Sequence, residues 1–207
     1  MNETTALIGI LATLLVGAMS PGPSCLLVAR FAVSSTRSKA VHSAIGMGLG
    51  GAAFCVLALM GLNELFELTP LLFTLLKVAG GLYLCYLGVS ILLASRAAET
   101  LTIGAVDEKR ATGSLWLGFL TQVSNPKTAV VYASVLAAFM PSPVSLTFSA
   151  VLVALVFAVE AAWYSLVAVL LSSHGPRSAY LLHRAWFDRA AGVVMSGLGI
   201  RLLSDLE

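Results

Sequence analysis

The sequence contains few charged residues for its length. Of its 207 residues, 11% are Asp, Glu, Lys or Arg and 58% are hydrophobic, and the mean hydropathy is +0.94. A soluble domain carries about 25% charged residues, so an ordinary soluble fold is excluded and an integral membrane protein is predicted. The net charge of +2 comes from scattered basic residues. It indicates no nucleic-acid partner.

Residues that build metal, redox and hydrolytic sites are also scarce. The three cysteines form no Cys-x-x-Cys pair, the three histidines lie at or beyond the ends of apolar stretches, and no His-Glu-x-x-His motif is present. The cysteines are therefore expected to be apolar packing residues. The sequence predicts neither an enzyme nor a bound metal or cofactor.

Six apolar stretches carry almost no charge. About 20 apolar residues cross the hydrocarbon core of a bilayer, so each stretch is predicted to be a transmembrane helix. The first stretch lacks the preceding positive residues of a secretory signal and is expected to remain as a membrane segment. The stretches are Thr4–Ala29, Ala40–Leu62, Pro70–Ser95, Ala111–Met140, Val144–Leu171 and a shorter one at about Ala190–Leu206.

Basic residues alternate between successive connections. Nine of the twelve Lys and Arg residues follow the first, third and fifth stretches, and the opposite connections carry none. Cytoplasmic connections of bacterial membrane proteins collect Lys and Arg, so six spans with both termini outside the cytoplasmic membrane are predicted. The nine residues are Arg30, Arg37, Lys39, Arg96, Lys109, Arg110, Arg177, Arg184 and Arg189.

The two halves of the chain share a glycine pattern. Gly81 and Gly88 recur as Gly192 and Gly199, with an offset of 111 residues and the same interval of seven. A duplicated three-helix unit inserts in the opposite orientation to the first copy. The sequence therefore predicts an all-α membrane protein with a single transporter domain over residues 1–207. Its six helices would form two inverted three-helix repeats, at about 1–100 and 111–207.

Proline interrupts the first and the fourth stretches. One break is a Pro-Gly-Pro-Ser run and the other an Asn-Pro pair, at roughly equivalent places in the two halves. Proline frees a backbone carbonyl, which in hydrocarbon needs a partner from protein, water or ligand. Matched breaks predict a midplane binding site, and the alternative is a pair of kinks that ease packing. The residues predicted to bind substrate at the breaks are Pro21, Gly22, Pro23, Ser24 and Pro126.

Lys127 directly follows the second break. A cation at membrane depth costs at least about 2.5–3.5 kcal/mol, so a specific role is expected for it. The functional hypothesis is contact with a substrate carboxylate; the alternatives are snorkelling to the interface and a structural pair with Glu160. The predicted substrate site also includes the side-chain amides of Gln122 and Asn125. They would form hydrogen bonds either with the substrate or with the backbone groups that the breaks leave without partners.

Glu160 is the single carboxylate deep in the fifth stretch. A carboxyl that gains and loses a proton is what proton-coupled transport requires, and the ionised form could also hold a substrate ammonium. The sequence therefore predicts Glu160 as the proton-coupling residue. The alternative is a packing residue that is protonated or paired with lysine.

Several of these motifs together resemble the LysE/RhtB family of amino-acid exporters, within the lysine exporter superfamily. The resemblance covers essentially the whole chain, in the order and spacing of the family. The motifs that carry it are Pro21-Gly22-Pro23, the run from Pro70 to Lys77, Tyr83-Leu84, Leu87-Gly88, Gly118-Phe119-Leu120 and Asn125-Pro126-Lys127.

The resemblance implies a bacterial inner-membrane efflux carrier for amino acids or related zwitterionic metabolites. Such carriers are usually driven by proton antiport and are often homodimers. Family members commonly carry an aspartate after the small residues of the second helix, where this chain has Gly51. The departure makes Glu160 the remaining deep acid.

Three other functions remain open from the sequence. One is a metal or cation exporter of the same superfamily, which would need more acidic or sulfur ligands than Glu160 and three dispersed cysteines supply. Another is a channel, whose solute flux would be insensitive to a proton gradient. The third is a membrane scaffold that transports nothing, which would tolerate the loss of both Lys127 and Glu160.

Overall fold

The described part of the chain is helical throughout. The computed structural model describes residues 2–19, 22–68, 70–94, 113–140 and 144–204, and eight α-helices account for nearly all of them. The helices are α1 (Glu3–Met19), α2 (Pro23–Ser34), α3 (Arg37–Leu68), α4 (Pro70–Ala94), α5 (Ser114–Val123), α6 (Pro126–Phe139), α7 (Leu146–Leu171) and α8 (His174–Ser204).

Each predicted apolar stretch corresponds to one helix or to one broken pair of helices. The first stretch becomes α1 and α2, whose axes differ by 57°, and the fourth becomes α5 and α6, separated by Ser124 and Asn125. Both broken stretches are those in which proline predicted an interruption. The order of two short helices followed by two longer ones therefore occurs twice along the described residues.

The sixth helix of the prediction begins in the wrong place. We expected it from about Ala190, but α8 begins at His174. A helix satisfies its own backbone hydrogen bonds in water as well as in lipid, so it can continue beyond an apolar stretch. Arg177, Arg184 and Arg189 therefore lie within α8 and not in an irregular connection. The basic connection from Arg96 to Arg110 lies outside the described residues.

The described helices differ in their capacity to cross a membrane. By length and composition α7 is a candidate span, as is the part of α3 at Arg37–Gly61, and α1 with α2 would be a third if the bent pair counts as one. Val78–Leu93, α5 and α6 are apolar but shorter. These residues are consistent with an all-α membrane protein, and the count of six spans stays a prediction.

Apolar side chains cover the outside of the helices, whereas polar groups lie inside. Leu57 and Met60 are each 63% exposed, but Gln122 and Glu160 are only 1% and 3% exposed. Exposed apolar surface of this kind is suited to lipid. Two buried apolar clusters flank the polar groups, one containing residues such as Ile10 and Leu152, the other Phe31 and Val167.

The helices α4 and α8 contact each other through the glycines that repeat in the sequence. A Cβ at Gly81 would lie 3.1 Å from the Gly199 carbonyl oxygen, and one at Gly199 would lie 2.6 Å from that of Gly81. Gly88 and Gly192 face each other in the same reciprocal way, at 2.6 and 2.9 Å. Two elements related by a two-fold axis make reciprocal contacts, in which residue i of one meets residue j of the other and residue j of the first meets residue i of the second. They support the inverted repeat, which itself stays a prediction.

Candidate functional site

A cavity lies where the two broken stretches meet α7. It has about 30 Å³ of space for water, more than the roughly 10–15 Å³ that one water requires. Both apolar clusters contribute to its wall. The lining residues are Leu14, Gly17, Ala18, Gly22, Ser24, Cys25, Gln122, Asn125, Lys127, Thr128, Val131, Tyr132, Glu160 and Tyr164.

Most of the residues predicted from the sequence line this one cavity. Gly22, Ser24, Gln122, Asn125, Lys127 and Glu160 are among the lining residues. Pro23 and Pro126 are exposed and do not line it. Pro21 lies outside the described residues.

The two prolines begin helices rather than bending continuous ones. Pro23 is the first residue of α2 and Pro126 the first of α6. At this position proline is tolerated because the missing N–H would have had no partner within the helix. The prolines therefore act by setting where α2 and α6 start, which places the N-terminal ends of both helices at the cavity.

The N-terminal ends of α2 and α6 are capped differently. The Asn125 side chain accepts a hydrogen bond from the Lys127 backbone N–H at 3.1 Å. Gly22 has an extended conformation and makes no side-chain cap at α2. The first N–H groups of a helix favour negative charge. The start of α2 lies at the cavity without a capping side chain from Gly22 and therefore favours an anion there.

Four buried side chains form a continuous chain of hydrogen bonds. Asn125 Nδ2 donates to Ser24 Oγ at 3.1 Å, and Ser24 Oγ donates to Gln122 Oε1 at 2.5 Å. Gln122 Nε2 then donates to Glu160 Oε2 at 2.8 Å. The chain links both helix breaks to the carboxylate on α7. It satisfies polar groups that would be costly to bury alone.

Glu160 is held by donors on two other helices. Besides Gln122 of α5, Tyr132 of α6 donates its hydroxyl to Glu160 Oε1 at 2.7 Å. The Tyr132 ring packs against Phe54 of α3, with ring centroids 5.9 Å apart. Both carboxyl oxygens thus accept hydrogen bonds inside the cavity. A proton or an ammonium group would compete with these donors for the same two oxygens.

Lys127 reaches the end of α1. Its Nζ donates to the Gly17 carbonyl oxygen at 3.4 Å, and Trp163 Nε1 donates to the Ala18 carbonyl oxygen at 3.2 Å. The last carbonyls of a helix have no partner within it, so these two side chains satisfy the end of α1. The ammonium group of Lys127 is thereby placed at the break between α1 and α2. It faces the same cavity as the start of α2.

Sequence reasoning missed three polar residues of this region. Tyr132 and Tyr164 line the cavity, and Asp188 of α8 is 6% exposed and interacts electrostatically with Lys127. Tyr132 lies five residues after Lys127, so extending the search along the second break could have found it. Asp188 was missed because the sixth stretch was begun at Ala190.

Metal-ligating side chains do not cluster in the part of the chain that the structure describes. No group of three or more His, Cys, Asp or Glu residues there could hold a metal ion. Cys25, Cys55 and Cys85 form no disulfide bonds.

Comparison with known proteins gives one consistent family. The model of the LysE type translocator family matches residues 15–206. The threonine efflux protein of Escherichia coli (strain K12) is 33% identical over 191 residues, which cover 91% of this chain and 93% of that protein. The threonine efflux protein of Salmonella typhi is 31% identical over the same shares of the two chains.

A relative named for a different amino acid matches a shorter segment. The leucine efflux protein of Salmonella choleraesuis (strain SC-B67) is 31% identical over 146 residues, which cover 68% of this chain and 64% of that protein. No solved structure gives a significant match.

Proposed function

The chain belongs to the LysE type translocator family, and from this premise we propose that it exports neutral amino acids across the bacterial inner membrane by proton antiport. Proteins of this family are transporters and not enzymes. The observation that carries the proposal is that Lys127 and Glu160 both line the same cavity. Similarity to threonine and leucine efflux proteins supports amino acids as the substrate class.

The cavity offers complementary groups for both ends of a zwitterion. In the proposed complex the substrate carboxylate binds Lys127 Nζ and the uncapped start of α2, where backbone N–H groups favour an anion. The substrate ammonium binds Glu160, which is held in place by Tyr132 and Gln122. Charge-assisted hydrogen bonds of this kind are about twice as strong as neutral ones.

The charge of the cavity supports a neutral side chain on the substrate. Among the described lining residues, Lys127 and Glu160 are the charged ones, and the carboxylate and ammonium of the substrate would use both. The remaining wall includes Leu14, Val131 and Thr128. A small apolar or hydroxylated side chain fits such a wall, whereas a second charge would be buried without a partner.

Glu160 is the proposed coupling residue. A proton and the substrate ammonium would bind the same carboxyl oxygens, so release of the substrate on one side of the membrane would be favoured when a proton takes its place. Competition of this kind is sufficient for antiport. The broken helices support alternating access, because discontinuous spans at the interface of inverted repeats are where other transporters bind substrate and coupling ions.

Counterflow in proteoliposomes tests the proposal. Vesicles containing the purified protein are filled with unlabelled threonine or leucine and diluted into the radiolabelled amino acid. We expect transient accumulation of label, and accumulation against a gradient when a pH difference is imposed. A matched sample carrying Lys127→Met and Glu160→Gln together should be inactive. Equal accumulation by the wild-type and double-variant proteins would contradict the proposed site, and no accumulation by the wild-type protein would contradict the function.

A further inference from the structure

Gly51 of α3 lies directly against the carboxyl group of Glu160. A Cβ atom at Gly51 would lie 2.7 Å from Glu160 Cδ and 2.7 Å from the Tyr132 hydroxyl oxygen, and it would overlap Glu160 Oε2. Real Cβ atoms essentially never approach other atoms so closely. The carboxyl group on α7 therefore occupies the volume that any side chain at position 51 would require.

The partners of this carboxyl group belong to neither α3 nor α7. Tyr132 is on α6 and Gln122 on α5, and both donate to Glu160. The backbone of α3 passes close to both residues, because a Cβ at Gly50 would lie 2.6 Å from Gln122 Cβ and one at Gly51 would lie 2.7 Å from the Tyr132 hydroxyl oxygen. A carboxylate that projected from α3 at this point would meet the same two donors.

Gly51 and Glu160 also occupy corresponding places in the two halves. Each is the fifteenth residue of its helix, on the third of the first four helices and the third of the last four, and their separation of 109 residues is close to the offset of 111 between the repeated glycines. Cys85 and Ser196, which lie 111 residues apart, meet in the same manner, with Cys85 Sγ donating to the Ser196 carbonyl oxygen at 3.8 Å. In a two-fold arrangement, a residue near the axis contacts its own counterpart.

We infer that the site needs one carboxylate near the pseudo-two-fold axis and that either half of the chain can supply it. In this chain α7 supplies it through Glu160, and position 51 is the place on α3 from which the first half could supply it. The absence of a side chain at Gly51 is what leaves room for Glu160. The inference rests on the proposed function, in which Glu160 is the coupling carboxylate.

Exchange of the carboxylate between the two helices tests this inference. The variants are Glu160→Ala, Gly51→Asp and the double variant with both changes. Each is purified in detergent for a thermal unfolding midpoint and reconstituted for amino-acid accumulation driven by a pH gradient. We expect each single change to remove uphill accumulation. The double variant should recover at least about tenfold over either single variant, as contacting residues do when they are coupled.

Thermal unfolding gives a second readout that does not depend on transport. Gly51→Asp alone should lower the unfolding midpoint because the new side chain overlaps Glu160, and the added change Glu160→Ala should relieve most of that loss. Ala52→Asp combined with Glu160→Ala is the matched control. Neighbouring helical residues point about 100° apart, so this control should not restore accumulation.

Two results would overturn the inference. One is simple addition of the two single-variant losses in unfolding midpoint, and the other is a folded double variant that accumulates no more substrate than Glu160→Ala. Failure of the proposed function would differ from both, because the wild-type protein itself would then move no amino acid while the unfolding midpoints still reported on the Gly51–Glu160 contact.

Discussion

Ser24 Oγ donates a hydrogen bond of 2.5 Å to Gln122 Oε1, across 98 residues of sequence. This contact joins the first turn of α2 to the last turn of α5, so the two helix breaks are linked by buried side chains. Asn125 Nδ2 donates to the same Ser24 oxygen. Hydrogen bonds therefore connect the two breaks to each other and, through Gln122, to Glu160.

Replacement of Ser24 by Ala should weaken both stability and transport. The change leaves the Gln122 and Asn125 amides without their shared partner in a buried place, and a buried unsatisfied group costs about 1–3 kcal/mol. The measurements are the thermal unfolding midpoint in detergent and the initial rate of counterflow. Ser34→Ala, at an exposed serine of the same helix whose hydroxyl bonds the Arg30 carbonyl oxygen, is the control. Equal effects of the two changes would contradict a special role for Ser24.

Replacement of Lys127 by Met should reduce binding of an amino acid but not of its carboxamide. Loss of one charge-assisted hydrogen bond of about 1.5–3 kcal/mol corresponds to roughly a tenfold to hundredfold loss of affinity. Competition against radiolabelled substrate in counterflow measures both ligands. Arg37→Met, at an exposed cation at the start of α3, is the control. Equal losses for acid and amide would indicate that Lys127 has only a structural role, through contacts such as those with the Gly17 carbonyl oxygen and Asp188.

Replacement of Glu160 by Gln should separate exchange from coupling. The amide keeps the shape of the side chain, and its oxygen can still accept a hydrogen bond from the substrate ammonium, but it cannot release a proton. Substrate should therefore still exchange for substrate while accumulation driven by a pH gradient is lost. The assay compares the two modes in the same vesicles. Glu3→Gln, at an exposed carboxylate of α1, should leave both modes intact. Uphill accumulation by the Glu160→Gln protein would place the coupling group elsewhere.

Replacement of Gly46 by Ala should destabilise the protein more than the same change at Gly197. A Cβ at Gly46 would meet the backbone of α5, 2.8 Å from the Phe119 nitrogen, whereas one at Gly197 would meet nothing within 4 Å. Overpacking of this kind typically costs about 1–3 kcal/mol. Unfolding midpoints of the two variants in detergent provide the comparison. Equal midpoints would contradict this prediction, because they would mean that α3 and α5 can move apart to admit the Cβ without loss of unfolding free energy.

Both termini are predicted to face away from the cytoplasm. Nine of the twelve basic residues follow alternate apolar stretches, and basic segments are retained in the cytoplasm. A phosphatase fused to the C-terminus should therefore be active, and one inserted between Arg96 and Arg110 should be inactive. The opposite pattern of activity would reject this orientation.

The family, the helix breaks and many of the cavity residues could be predicted from the sequence because membrane segments carry strong local signals. Apolar length, the proline breaks and the family motifs are all contiguous features, and the resemblance to the LysE/RhtB family is confirmed by the family model. The polar residues expected at the breaks were found by their rarity in apolar surroundings. Ser24, Gln122, Asn125, Lys127 and Glu160 all line one cavity.

The partners of these residues were decided only by the tertiary structure. The sequence left open a pair between Lys127 and Glu160, but in the structure Gln122 and Tyr132 donate to Glu160 while Lys127 donates to the Gly17 carbonyl oxygen. A helix in lipid is apolar on nearly all sides, so its sequence has no amphipathic stripe to show which face meets a neighbour. Helix–helix packing, set by close approaches such as that at Gly51, determines which polar groups meet.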